Sequence, residues 1–306
     1  MIFGLYPEFS WSHSRGRQLE RCARSYYWNY YGSHNGWTDD AEPEARLAYR
    51  LKKLTSLHIQ VGSVVHELAA EAIKRARAGH TVDADQLIDR GRDRLNRAWL
   101  ESKDREAFVR RPNGRTMLGS FYYDDGPSPR TIARVKEKLF TSVPNLLASR
   151  SFREAVAAPF VEVEEPDELT SFHLNGFTIF ARPDLLYRDE DGMYHLVDWK
   201  TGKPSASHLQ QLRVYGLFVY SRGDLEAGPM QGHLEYVYAG SRADSAITAA
   251  ELESQEREIA ASVSKMRRYL EDAERNKPLP MSEFPRTNET SECRWCKFYE
   301  LCGDGS

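Results

Sequence analysis

The stretch FHLNGFTIFARPDLLYRDEDGMYHLVDWKTGK, residues 172–203, decides the fold. Within it, Asn175-Gly176 is a dipeptide typical of a two-residue hairpin turn, and it separates FHL from FTIFARPDLLY. A second turn signal, DEDG at residues 189–192, precedes MYHLVDWK. The stretch therefore predicts successive antiparallel strands joined by tight turns.

The rest of the chain reads as helices first, then strands, then a helix and a tail. Alternating side chains predict further strands for VEVEE at 161–165 and HLEYVYAG at 233–240. Hydrophobic periodicity predicts helices over residues 11–31, 60–78, 84–110, 129–157, 205–221 and 248–275. The order of helix, three strands, helix and strand predicts an α/β fold.

Two carboxylates and a lysine fall on one predicted sheet face. Because side chains alternate along a strand, Asp198 and Lys200 point to one side and Trp199 to the other. The hairpin brings Asp184 to the level of Asp198, to within one residue of register. Such carboxylates can hold Mg²⁺ or Mn²⁺ for phosphodiester hydrolysis, while a lysine offsets developing negative charge. The alternative is a solvated hairpin face with a surface ion pair, which these residues alone would favour.

Polar residues on two predicted helices add to this set. Gln211 and Tyr215 are spaced i, i+4 on one face of the helix that follows Lys200. His66 lies on a helix face that is otherwise small and apolar. A lone histidine in such a place is more often a satisfied core residue than a metal ligand, so both interpretations stay open.

Four short motifs follow one another along the chain. They are Gly62-x3-His66, Pro183-Asp184, Asp198-x-Lys200 followed by Thr201-Gly202-Lys203, and Gln211-x3-Tyr215. In this order they resemble the PD-(D/E)XK nuclease superfamily, most of all its RecB-type exonuclease branch and the iron–sulfur nucleases of CRISPR adaptation. The resemblance covers roughly residues 10–30, 60–75, 160–240 and 285–302. It implies a restriction-endonuclease-like core.

The resemblance also implies roles for individual residues. Metal ligands for Mg²⁺ or Mn²⁺ would be His66, Asp184, Asp198 and the carbonyl of Trp199. The catalytic residues would be Lys200, Asp184, Asp198, Gln211 and Tyr215. In this assignment Gln211 and Tyr215 orient the lysine or the nucleic-acid backbone.

The four cysteines are split between the two ends of the chain, at Cys22, Cys293, Cys296 and Cys302. The C-x2-C-x5-C spacing of the last three favours a metal centre, and four thiolates suit either zinc or an iron–sulfur cluster. A disulfide or free thiols are a third alternative. The nucleases that the chain resembles carry one early cysteine and a late C-x2-C-x5-C around a [4Fe–4S] cluster. The resemblance thus implies such a cluster here, joining the two chain ends.

Composition excludes several classes of protein. The chain has 42 Lys+Arg against 45 Asp+Glu, a net charge of −3, which excludes a histone-like blanket of positive charge but not a local basic patch. No stretch approaches the ~18 uncharged apolar residues of a membrane helix. The N-terminus lacks the basic-then-apolar order of a secretory signal, so we expect a cytoplasmic protein without a membrane partner.

We expect four regions. They are an N-terminal helical and cluster segment at 1–59, a nuclease core at 60–79 and 158–245, a helical insertion at 80–157, and a C-terminal helix and cysteine-rich tail at 246–306. The expected function is metal-dependent cleavage of DNA, as an exonuclease on single strands or free ends, in repair, phage or plasmid defence or CRISPR adaptation.

Two other functions stay open. The first is a non-catalytic DNA-end-binding subunit of a helicase–nuclease or adaptation complex, with a helicase or an integrase-type protein as partner. The second is a restriction-type endonuclease stapled by zinc.

Overall fold

The computed structural model describes residues 4–163, 170–223 and 229–302, so the end of the predicted 161–165 strand lies outside the described residues. Within these residues the helices are α1 (His13–Arg21), α2 (Ala23–Tyr27), α3 (Pro43–Lys53), α4 (Leu57–Arg77), α5 (Ala84–Ser102), α6 (Arg105–Arg110), α7 (Gly119–Tyr123), α8 (Pro129–Ala148), α9 (Arg150–Ala157), α10 (Ala206–Ser221), α11 (Ala249–Arg267) and α12 (Thr290–Cys293). The strands are β1 (Ser10–Trp11), β2 (Leu54–Thr55), β3 (Met117–Leu118), β4 (Phe160–Val163), β5 (Ser171–Leu174), β6 (Phe177–Phe180), β7 (Leu185–Arg188), β8 (Tyr194–Trp199), β9 (Met230–Tyr236), β10 (Ser241–Ile247), β11 (Leu270–Asp272) and β12 (Lys277–Pro278). A π-helical turn lies at Trp28–Gly32, and 3₁₀ turns lie at Met281–Glu283 and Tyr299–Leu301.

A five-stranded sheet forms the centre of the fold. Its strand order is β10-β9-β8-β7-β4, in which β8 and β9 are parallel and the other neighbours are antiparallel. A second sheet has the order β1-β6-β5, and short pairs form between β2 and β3 and between β11 and β12. The chain is thus a mixed α/β protein, as the element order predicts.

Both hairpin turns of the deciding stretch are confirmed. Asn175 and Gly176 have φ angles of 50° and 83°, the positive values that a two-residue turn between β5 and β6 requires. The second turn joins β7 to β8, and Gly192 takes a φ of 84° there. The carboxylate of Asp189 also accepts a hydrogen bond from the backbone N–H of Met193 at 2.9 Å. Turn chemistry therefore fixes the pairing of β5 with β6 and of β7 with β8.

The run FTIFARPDLLY is two strands, and its interpretation as one strand is wrong. β6 ends at Phe180 in the three-stranded sheet, and β7 begins at Leu185 in the central sheet. Pro183 has no backbone N–H to donate to a ladder and restricts the conformation of Arg182, so strand pairing stops there. The chain crosses between the sheets at this point, and Asp184 follows as the last residue before β7.

Two of the predicted helices are each broken in two by a capping side chain. In the predicted 84–110 helix, Asp104 accepts a hydrogen bond from the N–H of Ala107 at 2.9 Å and begins α6. In the predicted 129–157 helix, Ser149 does the same for α9 with the N–H of Phe152 at 3.2 Å. Aspartate and serine are strong N-caps, so a new helix starts wherever the chain bends at them.

Two further boundaries differ from the prediction. The predicted 248–275 helix ends at Arg267, after which the ring of Tyr269 stacks on Phe284 with centres 4.6 Å apart and the chain pairs as β11 and β12. The predicted 233–240 strand is shifted: β9 ends at Tyr236, and Gly240, with a φ of 65°, turns the chain into the unpredicted strand β10.

Different helices cover the two faces of the central sheet. One face packs on α10 and α11, with Leu186, Leu196, Leu212 and Ile259 in its core. The other packs on α4, α5, α8 and α9, with Leu185, Val197, Leu68 and Leu139 in its core. Alternation along β8 therefore directs Asp198 toward α10 and Trp199 toward α4. No helix in the described ranges combines the length and the apolar composition that crossing a membrane requires.

Candidate active site

Asp184 and Asp198 face each other across the neighbouring strands β7 and β8. The register pairs Leu185 with Val197, which places Asp184 opposite Asp198. Both carboxylates are buried, with 7% and 1% exposure. The backbone N–H of Trp199 donates a hydrogen bond to Asp184 Oδ2 at 2.6 Å, while the Trp199 ring is buried on the opposite face. The expected juxtaposition of the two carboxylates is present, and the strand backbone itself holds one of them.

His66 lies at the edge of this carboxylate pair. Its Nδ1 is 3.2 Å from Asp184 Oδ1, and its side chain is 34% exposed. The other members of its helix face, Ala69 and Ile73, are buried. His66 therefore lies at the rim of this apolar face, beside a carboxylate. One turn earlier, a Cβ on Gly62 would lie 3.4 Å from Thr201 Oγ1, so α4 passes close to the turn that follows Lys200.

A closed ring of contacts joins Asp198 to Lys200. The Lys200 ammonium lies 2.5 Å from Asp198 Oδ2 and donates a hydrogen bond to Gln211 Oε1 at 2.8 Å. The Gln211 amide donates to the Tyr215 hydroxyl, which in turn donates to Asp198 Oδ1 at 3.2 Å. Gln211 and Tyr215 are one turn apart on α10, so this helix and β8 together fix the lysine against the aspartate.

The two carboxylates have pKa values shifted in opposite directions. Burial, followed by the negative charge of Asp184, raises the pKa of Asp198 to about 6. Burial alone would also raise the pKa of Asp184, but the charge and hydrogen bond of His66 outweigh it and the pKa is lowered. For His66 itself, burial lowers the pKa, but Asp184 outweighs this effect and the pKa rises to about 9. Without a metal ion, protonated His66 and the Lys200 ammonium therefore balance the two carboxylates, and a cation that binds here would displace the proton of His66.

The donor atoms of this site fit a divalent metal ion. Carboxylate oxygens are the ligands that Mg²⁺ and Mn²⁺ prefer. Asp198 Oδ2 is buried and accepts no hydrogen bond from the described residues, although Lys200 pairs with it by charge. In the described ranges, no three His, Cys, Asp or Glu side chains are arranged as a group that could hold a metal ion. The fit therefore rests on the chemistry of the donors.

Two histidines near Lys200 were not predicted from the sequence. Burial first, then the positive charges of Arg17 and Lys200, lower the pKa of His13 to about 4. Burial and Lys200 also lower the pKa of His208. The spacing of His208 three residues before Gln211 on one helix could have placed it on this face. His13 carries no such signal, because it comes from α1 at the other end of the chain.

All four cysteines are free thiols and are partly buried, one near the start of the chain and three near its end. Cys22 interrupts the predicted 11–31 helix and caps α2, accepting a long hydrogen bond of 3.5 Å from the N–H of Ser25. Burial raises the pKa of Cys296, and the nearby thiols of Cys22 and Cys293 raise it further. Burial likewise raises the pKa of Cys302, with Cys296 and Cys22 contributing. Each thiol is therefore within electrostatic reach of at least one other.

Backbone contacts tie the early cysteine segment to the tail. The N–H of Arg24 donates to the carbonyl of Pro285 at 3.1 Å, and its guanidinium donates to the carbonyl of Phe284 at 2.8 Å. Nearby, an apolar cluster contains Trp28 and Phe298 at its centre and Phe108 from the predicted insertion. Rings of the Tyr26–Tyr31 run are mostly part of the core: Tyr26, Trp28 and Tyr31 are buried. Most rings of this run therefore pack inside the protein.

Comparison with known proteins gives one match over nearly the whole chain. A family model of the PD-(D/E)XK nuclease superfamily matches residues 10–303, which include the carboxylate site and all four cysteines. No match was found among the curated proteins. Seven chains of solved structures match. One, titled "Crystal structure of SSO0001", is 13% identical over 79% of this chain and 97% of its own, with a TM-score of 0.30, which establishes no common fold.

Proposed function

Because this chain belongs to the PD-(D/E)XK nuclease superfamily, we propose that it is a metal-dependent nuclease that degrades DNA from free ends or along single strands. Members of this superfamily are typically nucleases that act on DNA with Mg²⁺ or Mn²⁺. The observation that carries the proposal is the ring that joins Asp198 and Lys200 beside Asp184. A surface ion pair explains neither the burial of both carboxylates nor the hydrogen bond between the lysine and a residue of α10.

The proposed metal ligands are His66, Asp184, Asp198 and the carbonyl of Trp199. Bound there, the cation would supply positive charge to the scissile phosphate and to the attacking water. In hydrolysis the water oxygen bonds to phosphorus while the ester bond to the leaving strand breaks. Each of the two carboxylates has its own supporting contact, since the Trp199 N–H holds Asp184 and the Tyr215 hydroxyl holds Asp198.

Lys200 is the proposed catalytic lysine. Its ammonium can donate to the attacking water or to a phosphate oxygen, where it offsets the negative charge that develops in the transition state. Gln211 and Tyr215 are positioning residues in this account. The Gln211 carbonyl oxygen keeps the ammonium directed into the site, which preserves its geometry before substrate binds.

We assign the four cysteines to a [4Fe–4S] cluster that joins the chain ends. Four thiolates are the ligand set such a cluster takes, and the chain contains four cysteines in total. The effect of Cys22 on the pKa values of Cys296 and Cys302 supports a common centre. Zinc is the alternative metal for the same thiolates.

The competing proposal is a DNA-end-binding subunit without catalysis. The intact set of His66, Asp184, Asp198 and Lys200 disfavours it, because binding alone has no use for that combination. In either case a helicase or an integrase-type partner in the cytoplasm would provide the single strands or ends.

End-labelled DNA tests the proposal. Linear single-stranded, linear double-stranded and circular single-stranded DNA are incubated with the protein in Mg²⁺, Mn²⁺ or EDTA. We expect short products from linear DNA with either metal, none in EDTA, and an intact circle. Cleavage of the circle would indicate an endonuclease instead. Binding of ends without cleavage in any metal would establish the non-catalytic alternative.

A further inference from the structure

A polar cavity of about 250 Å³ lies between α1, α10 and α11 and opens to solvent. In liquid water this volume holds about eight molecules, so the cavity is too large to be a packing gap. One face of α11 contributes Gln255, Glu258, Ser262 and Lys265, which are spaced three or four residues apart. The first two turns of α1 supply Arg17 and further polar side chains to the opposite wall. Two helices thus present polar side chains to each other here.

Gln255 lies at the buried end of the cavity. The residue is 3% exposed, and its Oε1 is buried with no hydrogen-bond partner among the described residues. A buried carbonyl oxygen without a donor destabilises the folded protein, so nearly all such atoms in proteins bond to protein, water or a ligand. An amide also has two N–H donors beside its acceptor oxygen. The buried end of the cavity therefore suits a group that both donates and accepts hydrogen bonds.

The opening of the cavity carries charged side chains. Lys265 contacts Glu20 at 3.4 Å, and Glu258 accepts a hydrogen bond from Gln210 at 3.5 Å. Both acids therefore already have partners. Arg17 is exposed, and its guanidinium has no carboxylate oxygen within 4.0 Å in the part of the chain that the structure describes. It is thus available for an anionic group at the opening.

These contacts restrict the chemistry of a ligand. A simple anion such as sulfate would use Arg17 and leave Gln255 without a donor, whereas an apolar molecule would use neither. A nucleobase offers donors and acceptors along one planar edge, which glutamine can bind through its amide. Trp11 adds an apolar wall, and its Nε1 is fixed by a hydrogen bond of 3.0 Å to Ser262 Oγ. A volume below the ~300–1,000 Å³ of pockets for drug-sized ligands leaves room for one nucleotide and no more.

We propose that this cavity binds a nucleoside monophosphate, with the base at the Gln255 amide and the phosphate at Arg17. The nucleotide is either free or the end of a strand. The proposal goes beyond the nuclease function, because the metal ligands and Lys200 take no part in it. Gln210, which lines the cavity, precedes Gln211, which binds Lys200. An occupant would therefore contact the helix that positions the catalytic lysine.

One substitution at each end of the cavity tests the proposal. Gln255→Leu removes the amide and keeps most of the volume, and Arg17→Gln removes the charge. Arg257→Gln, at an exposed position of α11, is the matched control, and Lys200→Ala tests whether the active site binds the ligand instead. Calorimetric titrations in EDTA use the four deoxynucleoside 5′-monophosphates, their nucleosides and inorganic phosphate. The melting temperature of each variant is also measured.

We expect at least one monophosphate to bind wild type. Gln255→Leu should bind it on the order of tenfold more weakly yet melt no lower than wild type, because the amide oxygen that it removes lacks a partner among the described residues. Arg17→Gln should weaken binding of the monophosphate on the order of tenfold and leave binding of the nucleoside unchanged. Arg257→Gln and Lys200→Ala should bind as wild type does. Displacement of the monophosphate by a 5′-phosphorylated single-stranded oligonucleotide would identify the occupant as a strand end, and no displacement would identify it as a free nucleotide.

Three results would overturn the proposal. The first is that no monophosphate binds wild type, or that inorganic phosphate binds as tightly as any of them. The second is equal binding by Gln255→Leu and wild type; if that variant does not fold, equal binding of the monophosphate by Arg17→Gln is the deciding result. The third is loss of binding in Lys200→Ala, which would place the nucleotide in the active site. None of these measurements depends on DNA cleavage, so failure of the proposed nuclease function would leave them unchanged.

Discussion

Tyr215 holds Asp198 through a single hydrogen bond of 3.2 Å from its hydroxyl to Oδ1. Tyr215→Phe removes this donor and leaves a buried carboxylate oxygen less well held. Loss of such a bond costs about 1–2 kcal/mol, so we expect cleavage to slow roughly tenfold with little change in DNA affinity. Tyr220→Phe, on the same helix but 56% exposed, is the control. Single-turnover cleavage rates of both variants are the measurement. Equal rates would show that Tyr215 does not position Asp198.

His66 gives a second prediction at the residue scale. As a ligand it supplies one donor among several, so His66→Ala should raise the Mn²⁺ concentration needed for half-maximal cleavage, and excess Mn²⁺ should restore part of the rate. The control is His58→Ala, an exposed histidine of the same helix. Thermal melting shows whether the variant folds. An unchanged metal requirement in folded His66→Ala protein would mean that His66 is not a ligand.

The alternation of side chains along a strand was enough to predict the part of the site that β7 and β8 form. It placed Asp198 and Lys200 on one side of β8 and Trp199 on the other, and the hairpin turn placed Asp184 opposite. The position of His13 could not be predicted, because it depends on how α1 packs against α10. Local periodicity carries no information about such long-range packing.

At the scale of elements, β8, β9 and β10 share a buried polar network. His233 is 2% exposed, with its Nε2 2.8 Å from His195 Nδ1 and its Nδ1 2.7 Å from Asp244 Oδ1. Arg242 also reaches the same ring. Burial first, and then Arg242 and His195 against the opposing effect of Asp244, lowers the pKa of His233 to about 4. The folded protein therefore keeps this histidine neutral.

This network makes stability depend on pH. Below the ordinary histidine pKa of about 6.5, the unfolded chain binds a proton that folded His233 refuses, so the free energy of unfolding falls as pH drops toward 4. The contribution lost by pH 4.5 is about 2.5 kcal/mol. The free energy of unfolding is measured in urea at pH 7 and pH 4.5. Between these two pH values, the decrease should be smaller in His233→Asn than in wild type by about that amount. His80→Asn, an exposed control, should behave as wild type does, and an identical loss in His233→Asn would contradict the prediction.

Element boundaries show what sequence patterns omit. Turns were predictable because Asn-Gly and Asp-x-x-Gly impose their own backbone angles. Helix breaks at Asp104 and Ser149 had a visible signal, since both are good caps, but an amphipathic pattern continued across them. The end of α11 had none, because it depends on the stacking of Tyr269 on Phe284 from a distant segment.

At the scale of the whole molecule, we expect the four cysteines to join the two ends of the chain through one metal centre. Purified anaerobically, the protein should be brown and contain about four irons and four sulfides per chain. Cys22→Ser should bleach this colour and lower the melting temperature as much as replacement of Cys296 or Cys302, because each thiolate ligates the same centre. Metal analysis is the measurement. Stoichiometric zinc without iron would show that the cysteines bind zinc and not an iron–sulfur cluster, although they would still join the chain ends. If neither metal is present and Cys22→Ser leaves stability unchanged, the cysteines hold no metal centre.

A common centre for the four cysteines could be proposed from composition and spacing, but a contact between the two ends of the chain could not be predicted. Spacing grouped Cys293, Cys296 and Cys302, but nothing local connected them with Cys22. That connection comes from the contacts of Arg24 with the tail and from a core to which both chain ends contribute.

Single-turnover cleavage by wild type and Lys200→Ala tests whether the carboxylate site cleaves DNA. End-labelled single-stranded DNA is used with Mg²⁺ or Mn²⁺, binding is measured separately in EDTA, and Lys203→Ala, an exposed lysine three residues further on, is the control. The account predicts that Lys200→Ala slows cleavage by about a thousandfold, because the lysine acts mainly on the transition state, while DNA affinity changes little. Lys203→Ala should cleave normally. Wild-type rates from Lys200→Ala would show that the active site has been assigned to the wrong residues.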